Sequence, residues 1–418
     1  MSLITETGKF PKAGEVDILL GAYGGGHMRM IIPVAKQLQA RGHKVCIFAF
    51  TTAVSMVQSS GLPWFSYMAL PQAQLPEVKE KGQELASGFP DGGPMSKAHS
   101  SAYLGCNYRD LVLQNGSAKA AEIYQQDGRF AFNPIHLMEE VLDYIQPKVV
   151  VTTSSPRSEK ALIKAAGNKT INSLCMLDLF GMQEVAWLKE AGFGNELCVL
   201  NEGVKQFVAE SGRPSDEIII TGNPAFDRLQ NEDTIQAGRL LREKKGWGKN
   251  GKIVVLYASC AEPAVHPFTG EPGLEDLPRK IEAHLVDLVT KDDKYELIIR
   301  RHPNEPQDVK TYGSIHQSTM KDDIDNLMHA VDLVVVTRST VAVQAALAGR
   351  PVLSVECSSL QDSPFGKLGF STAVFSIEKI EKTLNALSEK LASNNEKNSN
   401  ESASSAETVA NRILAFMR

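Results

Sequence analysis

Short, strongly apolar runs separated by amphipathic stretches recur along the whole chain, and they do so in two series. The first holds VDILLGAY (16–23), HKVCIFAF (43–50), PKVVVTTS (147–154), TINSLCMLDLF (170–180), ELCVLNE (196–202) and EIIITGNP (217–224). The second holds KIVVLYAS (252–259), YELIIRRHP (295–303), DLVVVTRS (332–339) and PVLSVE (351–356). Runs of this kind are strands covered on both faces, and the helices between them make parallel βαβ crossovers. The pattern predicts an α/β fold with two Rossmann-like domains, and the length of 418 residues suits two domains of roughly 100 to 200 residues each.

The polar stretch NEDTIQAGRLLREKKGW separates the series and divides the chain into domains 1–228 and 229–391. Beyond them lies 392–418, a low-complexity linker, ASNNEKNSNESASSAE, followed by a helical segment that is expected to dock back on the body. The Gly-, Pro-, Ser- and Gln-rich segment from Leu70 to Arg129 has weak periodicity and reads as loops and short helices shaping an acceptor pocket.

A formal charge of -5 gives no electrostatic reason to expect nucleic acid as the main partner. The six cysteines are scattered, without a CxxC pair, so neither a zinc site nor a disulfide framework is signalled and a cytoplasmic location is expected. The polar start MSLITETGKFPKAGEVD carries no signal core, and no run of about 18 apolar residues suggests a membrane span.

The candidate chemistry sits at the carboxyl ends of the predicted strands. In GAYGGGHMRM, Gly24, Gly25 and Gly26 clear side chains from the mouth of a helix, whose free N–H groups and dipole favour a ligand there. A tight βα turn would account for these glycines as well; the GxGxxG spacing of a dinucleotide site is absent. His27 adds an imidazole able to take a proton from a hydroxyl or water, or to bind a ligand without proton transfer. Asp178, ending a strand, is a second candidate base or a cap of the next turn. In TRSTVAVQAALAG, the hydroxyls of Ser339 and Thr340 open a helix and suit a phosphate or a simple N-cap, with Gln344 one turn further on. Arg301 and His302 end the strand in IIRRHPNEP, where an arginine fork suits phosphate. Gly222 and Asn223 form a turn before the polar stretch, either hinge or ligand contact. Together these sites point to one ligand held between the domains.

The same residues resemble the nucleotide-sugar enzymes of the GT-B glycosyltransferase fold. GGGHMRMIIPVAKQLQARGHKV is similar to the N-terminal motif of UDP-glycosyltransferases, which implies a catalytic base at His27. MHAVDLVVVTRSTVAVQAALAGRPVLSVE resembles the donor-site segment, and SLQDSPFGKLG a motif near the donor sugar, which adds Gln361 and Asp362. Two departures stand out: Gln344 occupies the place of a ribose-binding glutamate, and Arg338, Ser339 and Thr340 replace a glycine pair. ITGNPAFDRL and RRHPNEP are also similar to motifs of UDP-GlcNAc 2-epimerases, although GAYGGGH does not match their GTRPE-like loop.

The resemblance implies a glycosyltransferase needing neither metal nor cofactor, with a nucleotide-sugar donor bound through Gly25, Gly26, Gly222, Asn223, Arg301, His302, Arg338, Ser339, Thr340, Gln344, Gln361 and Asp362. It implies a sugar or lipid-linked acceptor, a place in bacterial surface polysaccharide synthesis, and allows peripheral contact with the inner face of a membrane. The alternatives are a 2-epimerase or nucleotide-sugar hydrolase, a transferase of CMP-linked ulosonic acids, and a non-catalytic nucleotide-sugar-binding protein.

Overall fold

The computed structural model describes residues 8–89, 95–190, 192–266, 269–360, 362–393 and 403–417. They fall into two compact units, Met1–Ala225 with Ser402–Arg418, and Phe226–Glu401.

Unit 1 is built on β1 (Ile18–Ala22), β2 (Val45–Ala49), β3 (Trp64–Ser66), β4 (Val149–Thr153), β5 (Asn172–Met176), β6 (Glu196–Val199) and β7 (Ile218–Ile220). They pair in the order β3-β2-β1-β4-β5-β6-β7, every pair parallel. Every residue of β1, β2 and β4 is buried, which explains why these strands read as unbroken apolar runs. From β1 the chain winds outward to β3, then returns to lay β4 beside β1, with Leu20 opposite Val151. The direction of winding therefore reverses between β1 and β4, and the crevice at their carboxyl ends is where open α/β sheets bind ligands.

The helix Gly25–Ala40 turns Met28, Ile31, Val34, Ala35 and Leu38 into the core beneath this sheet, a helical spacing. Val409, Ala410 and Ile413 of the helix Ser405–Ala415 belong to the same core. That helix follows unit 2 in sequence but completes unit 1, held by Arg412 on Glu196 and by Arg41 Nη1 donating to Asn411 Oδ1 at 2.6 Å. The linker expected before it falls largely on 394–402, outside the described residues.

The segment from Leu70 to Arg129 corrects the sequence reading. It holds the helices Pro76–Leu85, Lys97–Asn115 and Ser117–Asp127, not mainly loops. The first two meet backbone to backbone: a Cβ on Gly82 would lie 2.2 Å from Ser101 O, and one on Gly105 2.2 Å from Val78 O. The long helix buries Ser100, Gly105, Asn107 and Asp110 alongside Tyr103, Leu104 and Leu111, so polar and small residues hide the apolar period.

Unit 2 repeats the plan with β8 (Ile253–Ala258), β9 (Tyr295–Arg300), β10 (Ile315–Gln317), β11 (Leu333–Val336), β12 (Val352–Val355) and β13 (Thr372–Val374). The parallel order β10-β9-β8-β11-β12-β13 reverses between β8 and β11. Among the described residues, no helix is long and apolar enough to cross a membrane.

Candidate active site

Within unit 1, the loops after β1, β4 and β5 bring together a set of polar side chains around His27. Gly24 is the N-cap of the helix Gly25–Ala40, which places His27 in its first turn, and its side chain is one-fifth exposed. Thr153 ends β4, and Glu159 lies in the first turn of the helix Ser158–Asn168 that follows it. Thr153 Oγ1 is 2.6 Å from His27 Nδ1, and Glu159 Oε1 lies 3.7 Å from the same nitrogen.

Glu159 has no exposed side-chain surface, so an ionised carboxylate there needs donors. Tyr23 N–H donates to Oε1 and Ser155 N–H to Oε2, each at 2.5 Å, and Thr153 supplies a side-chain hydrogen bond. Burial nevertheless pushes the carboxyl above its ordinary range, against the pull of His27 and these three donors. When Glu159 is ionised it has no hydrogen to give, and the Thr153 hydroxyl then donates to it and accepts from His27 Nδ1–H. This order leaves the Nε2 lone pair free. Nε2 faces Ser155 Oγ at 3.4 Å and Asp178 Oδ2 at 3.9 Å.

Asp178 follows β5 with its carboxylate partly exposed. Its loop is fixed at both ends of the residue: Asp178 N–H donates to Ser154 Oγ at 3.4 Å, and its carbonyl accepts from Asn223 Nδ2 at 2.5 Å. Asn223 is buried, and its Oδ1 accepts from Ala225 N–H, so it holds the Asp178 loop. Gly222 beside it has φ +75° and packs on Ser405, where a Cβ would lie 2.4 Å from Oγ; both constraints require glycine. Gly25 and Gly26 are different. Neither has positive φ, and a Cβ would find its nearest neighbour at 3.7 Å on Gly25 and nothing within 4 Å on Gly26. The fold of unit 1 does not itself call for glycine at these two positions.

In unit 2 the expected donor residues divide. Arg338, just past β11, grips Asp362 with Nε on Oδ1 at 2.9 Å and Nη2 on Oδ2 at 2.7 Å, while Nη1 lies 3.7 Å from Glu262 Oε1. Burial raises the Asp362 carboxyl, but Arg338 outweighs it and the net shift is downward. Glu262 is pushed up by burial, and Ser358 Oγ–H donates to it at 2.7 Å. Ser339 and the exposed Thr340 lead into the helix Val341–Leu347; Ser339 Oγ accepts from Val341 N–H at 3.4 Å, and Gln344 donates to Asp325 at 2.9 Å. Gln361 lies outside the described residues.

Arg301 is held by carboxylates of its own. Its fork binds Glu282 through Nε at 3.1 Å and Nη2 at 2.6 Å, and Nη1 donates to Pro306 O and Asp308 Oδ1, both at 2.7 Å. A phosphate would have to displace these partners. It sits in a concavity of about 410 Å³ that is also lined by Glu262, Glu275, Glu305, Asp308 and a second arginine, Arg279. The His302 side chain is exposed, with Nδ1 accepting from Asn304 N–H at 3.2 Å.

No family profile matches the sequence, and no curated protein matches it. Solved structures do match. The UDP-GlcNAc 2-epimerase of Methanocaldococcus jannaschii superposes with a TM-score of 0.56 at 14% identity, over 96% of this chain and 99% of that one. That of Neisseria meningitidis, bound to UDP-GlcNAc, gives 0.55 at 14%, over 96% and 99%. MurG of Acinetobacter baumannii gives 0.50 at 12%, over 97% and 100%. The chain has the GT-B fold.

On this GT-B scaffold His27 and Asp178, both named from the sequence, lie together with Thr153, Ser155 and Glu159, which were not named from it. A signal was present in VVVTTSSPRSE: hydroxyl side chains close a valine strand, and an acid appears one turn later where the next helix starts. A glutamate in a first helical turn also suits the helix dipole, which conceals a buried role behind an ordinary one.

Proposed function

We propose that this chain transfers a sugar from a nucleotide-sugar donor to a hydroxyl acceptor, with His27 as the base. The observation that carries the reading is the contact of Thr153 Oγ1 and Glu159 Oε1 with His27 Nδ1 at the reversal point of the unit 1 sheet; with Glu159 ionised, it leaves Nε2 as a proton acceptor. Nε2 takes the acceptor's hydroxyl proton as the acceptor oxygen bonds to the anomeric carbon. The bond from that carbon to the nucleotide's phosphate oxygen breaks, and the phosphate leaves with the electron pair. Glu159, 3.7 Å from Nδ1, stabilises the imidazolium that results.

Gly25 and Gly26 leave the helix N–H groups open to the sugar or its substituents. Within unit 2, Ser339 and Thr340 are the proposed phosphate contacts. Arg338 there is paired with Asp362 and serves to order that loop. None of these steps calls on a metal ion or an organic cofactor.

A second reading, 2-epimerisation or hydrolysis of the nucleotide sugar, is favoured by Asp178. Its carboxylate beside Nε2 provides a second proton-transfer group, as reactions on one sugar from two sides require. Purified protein incubated with UDP-GlcNAc, and in parallel with a CMP-linked ulosonic acid, separates the readings by mass spectrometry. A transferase releases nucleotide only when an acceptor hydroxyl compound is added. Release or a changed sugar with donor alone replaces it with the second reading.

A further inference from the structure

The turn after β4 contains a cation that the proton-transfer chain does not use. Arg157 has φ +69° and ψ −111°, a conformation in which an L side chain is strained. Such strain persists only where the surroundings fix the residue. The Arg157 guanidinium lies 5.0 Å from the centroid of the Tyr23 ring and 5.7 Å from that of Phe130, and Nη2 donates to Tyr23 Oη at 3.2 Å.

None of these partners is negative. Among the described residues no carboxylate forms an ion pair with Arg157, and its Nε is buried without a hydrogen-bond partner. Four other arginines of unit 1, Arg41, Arg109, Arg213 and Arg412, each meet a glutamate, and Arg29 and Arg129, which do not, are exposed to solvent. A half-buried guanidinium without a counter-ion is unfavourable by itself, and an anion brought by a ligand would offset that cost.

Its place gives the anion an owner. Tyr23 and Ser155, on either side of the crevice, both donate backbone N–H groups to Glu159, and Ser155 Oγ lies 3.4 Å from His27 Nε2. Arg157 is in the loop between Ser155 and Glu159, with the almost fully exposed Phe130 ring as its solvent-side wall.

We infer that Arg157, backed by Tyr23 and Phe130, binds an oxyanion, a carboxylate or a phosphate, carried by the molecule on which His27 acts. The planar fork suits two oxygens of such a group. The inference rests on His27 as the proton-transfer group and names the substrate as acidic.

Protein labelled with ¹⁵N-arginine gives an Nε–H resonance for Arg157, assigned by its loss in Arg157→Gln. Inorganic phosphate, glucuronate and, as the uncharged control, glucose are titrated separately into the tens of millimolar. A saturable shift with phosphate alone assigns a phosphorylated group, one with glucuronate alone an acidic sugar, and one with both a general oxyanion site; glucose gives none. No shift with either anion overturns the inference, and so does an equal shift with glucose. Arg157→Lys keeps the charge without the fork and is expected to weaken the anion roughly ten-fold, read by calorimetry because the Arg157 resonance is absent from that variant. The same titration on His27→Ala keeps the shift, so a failure of His27 catalysis and a failure of anion binding are read separately.

Discussion

His27 Nδ1 lies 3.7 Å from Glu159 Oε1, a carboxylate oxygen with no exposed surface, and Thr153 Oγ1 lies 2.6 Å from the same nitrogen. A buried acid this close to an imidazole that is only one-fifth exposed does for the ring what a hydrogen bond alone cannot. In the proposed reaction it holds one tautomer and stabilises the positive charge that proton transfer creates.

Glu159→Gln tests this in two readouts. Turnover is expected to fall by about 10²- to 10⁴-fold, the range over which general base catalysis operates. Stability responds to pH with a defined sign. Burial raises the folded-state pKa of Glu159, so between the ordinary carboxyl range and the raised value the folded chain holds a proton that the unfolded chain has lost. The contribution of Glu159 is complete below that window and is lost as pH rises through it. Denaturant midpoints across the window should show wild type losing ground to the glutamine variant with rising pH.

Gly26→Ala is expected to stabilise unit 1 by about 0.5–1 kcal/mol, because alanine is the better helix residue and open space surrounds the site. Binding of nucleotide sugar should weaken in the same variant. A protein that gains stability and loses affinity shows that the glycine serves the ligand; unchanged affinity in calorimetry removes that role.

Gly105→Ala makes the opposite stability prediction from the same kind of exchange. Its Cβ would lie 2.2 Å from Val78 O, so the helix pair must separate, and a loss of about 1–3 kcal/mol is expected by denaturant unfolding.

These glycines also explain what was legible in the sequence. Both sheets announced themselves through runs such as VDILLGAY and KIVVLYAS, because strands buried on two faces must be apolar throughout. The short edge strands Trp64–Ser66, Ile315–Gln317 and Thr372–Val374 left no comparable mark. The helices between Leu70 and Arg129 were hidden because they bury glycine and polar side chains where apolar ones would reveal the period. In the site, His27 was visible because histidine after glycines has few structural uses. Thr153 and Glu159 were not, since a strand-end threonine and a first-turn glutamate are ordinary, and only the pairing of β1 with β4 brings them to His27.

Arg301→Gln distinguishes an internal clamp from a phosphate ligand. The change removes one of the two arginines that hold Glu282, with Arg279 still paired to it, so unit 2 should lose about 1–3 kcal/mol. The thermal shift produced by UDP or CMP should persist. A variant that keeps its unfolding temperature but loses the nucleotide shift would return Arg301 to the phosphate.

The central claim is that His27 moves the proton in a reaction of a nucleotide sugar. It is tested most directly by comparing wild type and His27→Ala for nucleotide release from UDP-GlcNAc and CMP-linked donors, with acceptor present, while donor binding is followed by calorimetry. Wild type is expected to release nucleotide only with acceptor, and His27→Ala to lose roughly 10²-fold or more of that release while binding donor within a few-fold of wild type. Equal release by the two proteins would contradict it.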